Sequence, residues 1–412
     1  MNLSKWKSKL LPFMDQGVVS GGNFIAGVLL ARALGMDGFG QFSIFWLVVL
    51  FFSSLNQAGI STPLYTLFPQ KSLEQKTGYL TSVGWMQALY SIGASGLLIL
   101  VFTLATPWVS VWNLDQALLG SGVLFSFLTF DFIRRLHYCQ GKTKQVLVLD
   151  SVVYTLQLGA FAILTWMGSV SLTSVLLVLM VTYLIPLLGL NQVLPIRSIS
   201  LHDFKSDLAR HWTFSKWLIG TALLQWTSGN FFLIAASVLL GPAAVGAIRI
   251  LQNLVGVMHV VFQALEHIVP LRASQIFQQL GSGALKSFLK KIAGQGVMAT
   301  TVMGISMAVC GPFLVRLLYG DDYVDYAHLL YGFALLYIFV FTGTILRFAI
   351  RTLELNRSIF IAYTLSTIFS ICLAHPVIQF FGIAGVVIGL IASQVIIQIY
   401  FLYSLTLKFK QA

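Results

Sequence analysis

Charge is what this chain has least of. Asp, Glu, Lys and Arg make up only 9% of its residues, and the acids number 13 against 25 bases. Soluble globular domains carry about 25% charged residues, so the deficit excludes a water-soluble fold of this length. Cysteine is scarce too: Cys139, Cys310 and Cys372 are odd in number and lie in or near apolar runs, giving neither a disulfide framework nor a metal spacing. A phosphate-cradling glycine loop, a His-x-x-x-His pair and a nucleophile elbow are all missing, so the common soluble-enzyme motifs find no support. His137, His259, His267 and His375 stand singly.

Apolar side chains fill the space that charge leaves. They form 57% of the sequence, and the mean hydropathy is +0.86. Twelve apolar segments can be marked, at 13–33, 41–66, 79–105, 116–138, 146–167, 172–194, 214–239, 243–269, 288–318, 323–349, 357–379 and 382–407. Each suffices for a hydrocarbon core of about 30 Å. The short alternating strands of an outer-membrane barrel are absent. Helices are then the remaining way to satisfy the backbone in lipid, and the expected fold is an all-α, polytopic membrane protein.

The sparse charge also orients the bundle, because Lys and Arg are retained on the cytoplasmic side. With the N-terminus inside, all but Arg32, Arg249 and Arg316 of the 25 basic residues fall on inner segments. The net charge of +12 is accounted for by topology, and no nucleic-acid partner is implied. Three lysines before an apolar run resemble a secretion signal, but Asp15 interrupts the run and no Ala-x-Ala follows, so it reads as an uncleaved first helix. Both termini are expected in the cytoplasm. The outer loops are short and poor in charge, with Asp37, Asp115 and Asp321-Asp322 as their main polar content.

Part of the chain is written twice. Ser20-Gly21-Gly22-Asn23-Phe24, Leu34-Gly35, Gly40 and Pro63 recur as Ser228-Gly229-Asn230-Phe231, Leu240-Gly241, Gly246 and Pro270, at an offset of 207 for Asn23-Phe24 and Pro63 and of 206 for Gly35 and Gly40. A parallel repeat of half a hydrophobic chain predicts two six-helix lobes and a transporter with its substrate site between them. The expected division is a lobe at 1–195, a linker at 196–213 and a lobe at 214–412. In that linker Leu201, Phe204, Leu208 and Trp212 recur every three or four residues, which predicts a helix lying on the inner membrane surface.

The eighth span carries the clearest polar pattern: Arg249, Gln252, Gly256, His259, Gln263, Glu266 and Pro270 alternate spacings of three and four. Such a face either lines a water-filled cavity or hydrogen-bonds to a partner helix, with Arg249 and Glu266 near the interfaces. The repeat partners of Arg249 and Glu266 are Ser43 and Gly59, so the charges are not duplicated. Asp15, Asn23 and Arg32 make the first helix a second candidate wall; Asn23 and Asn230 equally suit close helix contacts, and Arg32 an outer-interface anchor. Asp131 and Arg135, four apart, can pair and leave Arg134 less neutralised. Arg134, Arg135, Arg347 and Arg351 suit a phosphate through their forked donors, or anchor the inner side. Asp150 opens the fifth span, where a carboxylate complements the helix dipole.

The run Asp15-Gln16-Gly17-Val18-Val19-Ser20-Gly21-Gly22-Asn23-Phe24, then Leu29-Leu30-Ala31-Arg32-Ala33-Leu34-Gly35 and Gly38-Phe39-Gly40, resembles the opening of the polysaccharide-biosynthesis flippases. These are Wzx-type O-antigen and exopolysaccharide translocases of the multidrug/oligosaccharidyl-lipid/polysaccharide (MOP) exporter superfamily, to which the MATE transporters belong. Phe132-x-Arg134-Arg135, Tyr138, Gly141-Lys142 and Asp150 resemble that family's junction between helices four and five. The resemblance implies a V-shaped pair of bundles in the bacterial inner membrane that carries an undecaprenyl-diphosphate-linked oligosaccharide outward. Glycosyltransferases and a polymerase would work beside it, and membrane lipids would surround it. No cofactor is implied beyond a coupling ion, H+ or Na+.

On that reading Arg32, Arg134, Arg135, Arg249, Arg347 and Arg351 receive the diphosphate or acidic sugars, Asn23, Asn230, Gln252, His259 and Gln263 line the cavity, and Asp15 or Glu266 couples to the ion. The family pattern itself marks only Asp15, Arg32, Arg134 and Arg135. Two rivals remain: a cation-coupled drug or small-molecule antiporter of the same fold, and a membrane glycan polymerase or ligase, which needs a larger outer loop than this chain offers.

Overall fold

The computed structural model describes residues 3–105, 114–194 and 200–411, which are helical with short turns and contain no strand. The helices are α1 (Leu3–Asn56), α2 (Thr62–Leu67), α3 (Leu73–Ala105), α4 (Leu114–Cys139), α5 (Thr143–Trp166), α6 (Leu172–Leu184), α7 (Leu201–Leu239), α8 (Pro242–Val255), α9 (Val257–Val309), α10 (Gly311–Tyr319), α11 (Leu330–Thr352) and α12 (Asn356–Gln411). Nine helical stretches among the described residues are long and apolar enough to cross a membrane. The chain is therefore a multi-pass membrane protein.

The expected spans all fall on helix-rich stretches, and in three places two helices follow one another with a kink instead of a loop between them. α1, α9 and α12 are 54, 53 and 56 residues long, or about 80 Å at 1.5 Å per residue. That is more than twice a hydrocarbon core, so each is long enough for two crossings. Each is interrupted at a single glycine with non-helical torsions: Gly35, Gly281 and Gly382. A single non-helical glycine makes each of these breaks, and a sequence reading that expects polar loops marks boundaries where the backbone hardly pauses.

Contacts group the chain into two compact units, Met1–Leu34 with Phe45–Leu223, and Gly35–Ile44 with Leu224–Ala412. These bounds differ from the division expected at 195 and 214. The reason lies in α7, which begins at Leu201 and runs unbroken to Leu239. Its first turns are no separate surface helix. Asp207 and His211 are both buried. Asp207 pairs with Lys71 Nζ at 3.0 Å and accepts from Ser82 Oγ at 2.7 Å, and His211 Nε2 lies 2.7 Å from the Tyr79 hydroxyl. Phe204 packs against the core formed by Leu64, Leu67, Tyr79, Val83 and Leu136. The amphipathic pattern is real, but it is the polar side that protein holds, through Asp207 and His211; of the apolar stripe only Phe204 packs on the core, while Leu201, Leu208 and Trp212 are exposed. Arg197, also placed in that linker, lies outside the described residues.

Inside the N-terminal unit α4 packs on α3 and α6, with Val123, Leu124, Leu128, Phe130 and Leu136 buried along it. α6 starts with reciprocal caps: Ser174 N donates to Ser171 Oγ at 3.1 Å and Ser171 N to Ser174 Oγ at 2.9 Å, satisfying donors that a helix start leaves open. Inside the C-terminal unit α11 packs on α9 and α12.

The duplicated glycines do the same work in both copies. Gly35 (φ 67°, ψ −179°) and Gly241 (φ 84°, ψ 174°) share one backbone state, which L residues rarely adopt. Gly40 and Gly246 then form a reciprocal contact in the C-terminal unit. A Cβ on Gly40 would lie 1.9 Å from the Pro242 carbonyl oxygen, and one on Gly246 would lie 2.4 Å from that of Met36. Adding the repeat offset of 206 turns 36 into 242 and 40 into 246. Each copy's glycine thus sits on the carbonyl four residues before its counterpart, as helices in lipid approach through small residues.

Candidate functional site

Arg134, in the last turns of α4, is the centre of the charge in the N-terminal unit. Its Nη2 is 2.6 Å from Asp150 Oδ2 and 3.4 Å from Asp15 Oδ2, and its Nη1 is 3.7 Å from Asp131 Oδ1. Its Nε also donates to Asp150 Oδ2 at 2.7 Å. Arg135 Nε pairs with Asp131 Oδ2 at 2.7 Å, one helical turn back, as the spacing predicts. Tyr138, one turn beyond Arg134, donates its hydroxyl to Asp15 Oδ2 at 2.5 Å. Asp15, Asp131 and Asp150 are 2%, 5% and 0% exposed.

Two expectations change here. Arg134 is not the less neutralised arginine, because three carboxylates surround it. Asp150 does not open its helix: α5 begins at Thr143, and the carboxylate sits two turns in, where it meets Arg134 rather than the helix dipole. Three carboxylates against two guanidinium groups leave the cluster one negative charge in excess when all are ionised. Asp15 Oδ1 and Asp150 Oδ1 are buried with no hydrogen-bond partner. A buried carboxylate oxygen without a donor is costly, and a proton or a small cation between them would relieve it. Among the described residues no cluster of three or more His, Cys, Asp or Glu could hold a metal ion.

The C-terminal unit has the opposite polarity. α8 and the start of α9, joined at Gly256, bring Arg249, Gln252 and His259 to a cavity of about 350 Å³, completed by Ser228 and Gly229 of α7, Tyr337 of α11 and Ser393 and Gln394 of α12. Among the described residues no carboxylate lines it. Arg249 Nη1 donates to Gln252 Oε1 at 3.1 Å, while its Nη2 is buried without a partner. His259 stacks edge-on to Tyr337 with ring centroids 5.1 Å apart. Behind the wall lies a buried hydroxyl cluster: Ser228 Oγ is 2.6 Å from Ser366 Oγ, and Ser370 Oγ is 3.2 Å from Ser393 Oγ.

The predicted stripe on the eighth span divides. Arg249, Gln252 and His259 share the cavity, whereas Gln263 is exposed and outside its lining. Glu266 faces Arg347 of α11 at 3.8 Å, with its side chain 48% exposed. Arg347 also donates to Thr344 Oγ1 at 3.1 Å, and Arg351 is exposed one turn further on. Asn23 and Arg32 are exposed on α1. Asn230 donates to the carbonyl of Trp226 on its own helix at 2.9 Å, and neither asparagine lines the cavity. The sequence reading did not single out Tyr337, Ser393 or Gln394; the signal it offered was Ser366 and Ser370 one turn apart on one span with Ser393 on the next.

No family model matches the sequence, and no curated protein does. Among solved structures, an inward-facing multidrug resistance MATE family transporter of the MOP superfamily superposes with a TM-score of 0.76 at 11% identity, over 93% of this chain and 92% of that one. This chain has the MATE/MOP fold. The lipid II flippase MurJ, in an inward closed conformation, matches with a TM-score of 0.68 at 13% identity, over 97% and 87%. A MOP superfamily transporter from Pyrococcus furiosus, described as having a binding pocket of reversed polarity, matches with a TM-score of 0.62 at 12% identity, over 96% and 93%.

Proposed function

We propose that this MATE/MOP-fold protein is a flippase that moves an undecaprenyl-diphosphate-linked oligosaccharide across a bacterial inner membrane by alternating access. The observation that carries the reading is Arg249. A guanidinium group with a buried, unpartnered Nη2, in a cavity that no carboxylate lines among the described residues, is suited to an anionic cargo, and the hydroxyl and amide groups beside it suit sugar hydroxyls. The likeness to a lipid II flippase agrees with a lipid-linked cargo. Asp15, with Asp150 behind Arg134, is the better coupling group than Glu266, which is half exposed.

In cells depending on this chain, depletion should raise the lipid-linked precursor on the inner leaflet. Arg249→Ala should lower export by about tenfold or more, the loss of a charged hydrogen bond of about 1.5–3 kcal/mol, with Arg249→Lys falling between it and wild type. Export unchanged in Arg249→Ala would count against the anionic cargo. The buried carboxylates of the N-terminal unit favour a second reading, a cation-coupled drug antiporter. That reading wins if Asp15→Asn abolishes tolerance to cationic dyes while depletion leaves the precursor level unmoved.

A further inference from the structure

A second cavity of the C-terminal unit shares no residue with the first. It is a groove of about 560 Å³ whose walls include Leu289 and Ala293 of α9, Ile345 and Ala349 of α11, and Leu405 of α12. Its polar side chains are Lys286, Lys290 and Thr406. Lys286 and Lys290 stand one helical turn apart, so their stems emerge about 5–6 Å from each other on one face. Both are exposed, and among the described residues no carboxylate pairs with either. Lys286 Nζ lies 5.9 Å above the ring of Phe409, which lines the same groove.

An apolar groove in a bilayer selects nothing by itself, because an acyl chain gains little by leaving its neighbours for aliphatic side chains. Discrimination has to come from the two ammonium groups. They complement a headgroup with net negative charge and repel the ammonium of a zwitterionic one. We propose that the groove holds one anionic phospholipid, its acyl chain along Leu289, Ala293 and Leu405 and its phosphodiester between Lys286 and Lys290.

The test uses the full-length chain purified in a non-ionic detergent. Thermal unfolding is followed with added dioleoyl phosphatidylglycerol or dioleoyl phosphatidylcholine, which differ only in headgroup, and native mass spectrometry counts retained lipid after a delipidating wash. Phosphatidylglycerol should raise the midpoint more than phosphatidylcholine does. The double variant Lys286→Gln/Lys290→Gln should lose that difference and retain about tenfold less phosphatidylglycerol, a change of about 1.4 kcal/mol in binding. Lys291→Gln, an exposed charge next in sequence and outside the groove, should leave both readouts as in wild type. Ala293→Trp, which fills the groove without altering charge, should lose retention.

Equal shifts from the two lipids overturn the proposal, as does a loss with Lys291→Gln as large as that of the double variant. A shift with undecaprenyl phosphate and none with phosphatidylglycerol would replace the phospholipid with an isoprenoid. A dimer that the double variant dissociates would replace it with a second copy of the chain.

Discussion

Removing the Arg134 guanidinium while keeping the side-chain bulk tests the charge cluster most directly, and Arg134→Met does that. In the wild type Asp150 and Asp15 share one nitrogen of Arg134, at 2.6 and 3.4 Å. Their side chains are only 0% and 3% exposed, so water cannot replace the lost partner. The Asp131 and Arg135 pair survives at 2.7 Å, leaving two orphaned carboxylates rather than three. Breaking a buried ion pair from one side costs about 3–5 kcal/mol. Because the Arg134 side chain is itself 18% exposed, the lower end applies, about 3 kcal/mol. That corresponds to a fall on the order of 10 °C in midpoint for a unit of this size, readable by fluorescence-detected size exclusion after heating in detergent. Adding Asp150→Asn to Arg134→Met removes one orphaned charge and should recover about half of the loss, since Asp15 keeps the Tyr138 hydroxyl as a donor. A midpoint within about 1 kcal/mol of wild type for Arg134→Met, or a double variant less stable than the single one, would refute the electrostatic reasoning.

The reciprocal glycine contact predicts that Gly40→Ala and Gly246→Ala each destabilise by about 1–3 kcal/mol, because the new methyl meets a backbone carbonyl that cannot swing aside. Gly21→Ala, on a helix with nothing within 4 Å of the added carbon, should be neutral or slightly stabilising in the same heating assay. Asp207→Ala strips Lys71 of its anion and leaves Ser82 only its longer bond to the Gly78 carbonyl; it should cost about 1–3 kcal/mol and speed proteolytic cleavage near Leu201. Unchanged cleavage would mean that the first turns of α7 are held by Phe204 and its apolar neighbours alone.

Composition determined the phase and class of this protein without help from its structure. A chain with 57% hydrophobic and 9% charged residues has to satisfy its backbone in lipid with helices, whatever their packing. The repeat was equally legible, and its glycines proved to be matched in conformation and contact, because backbone state and close approach depend on residue type at one position. The i, i+4 pairing of Asp131 with Arg135 was likewise local and correct. Tertiary structure decided the rest. Asp15 reaches Arg134 across 119 residues of chain, and Asp207 reaches Lys71 across 136; no periodicity encodes such meetings. The polar stripe on α8 and α9 looked continuous as a helical face, but only its first three side chains share the cavity, since what a face encounters depends on the helices packed against it. The charge of each unit is written in the sequence, but which charges neutralise one another and which stand ready for a ligand is settled only when the helices pack.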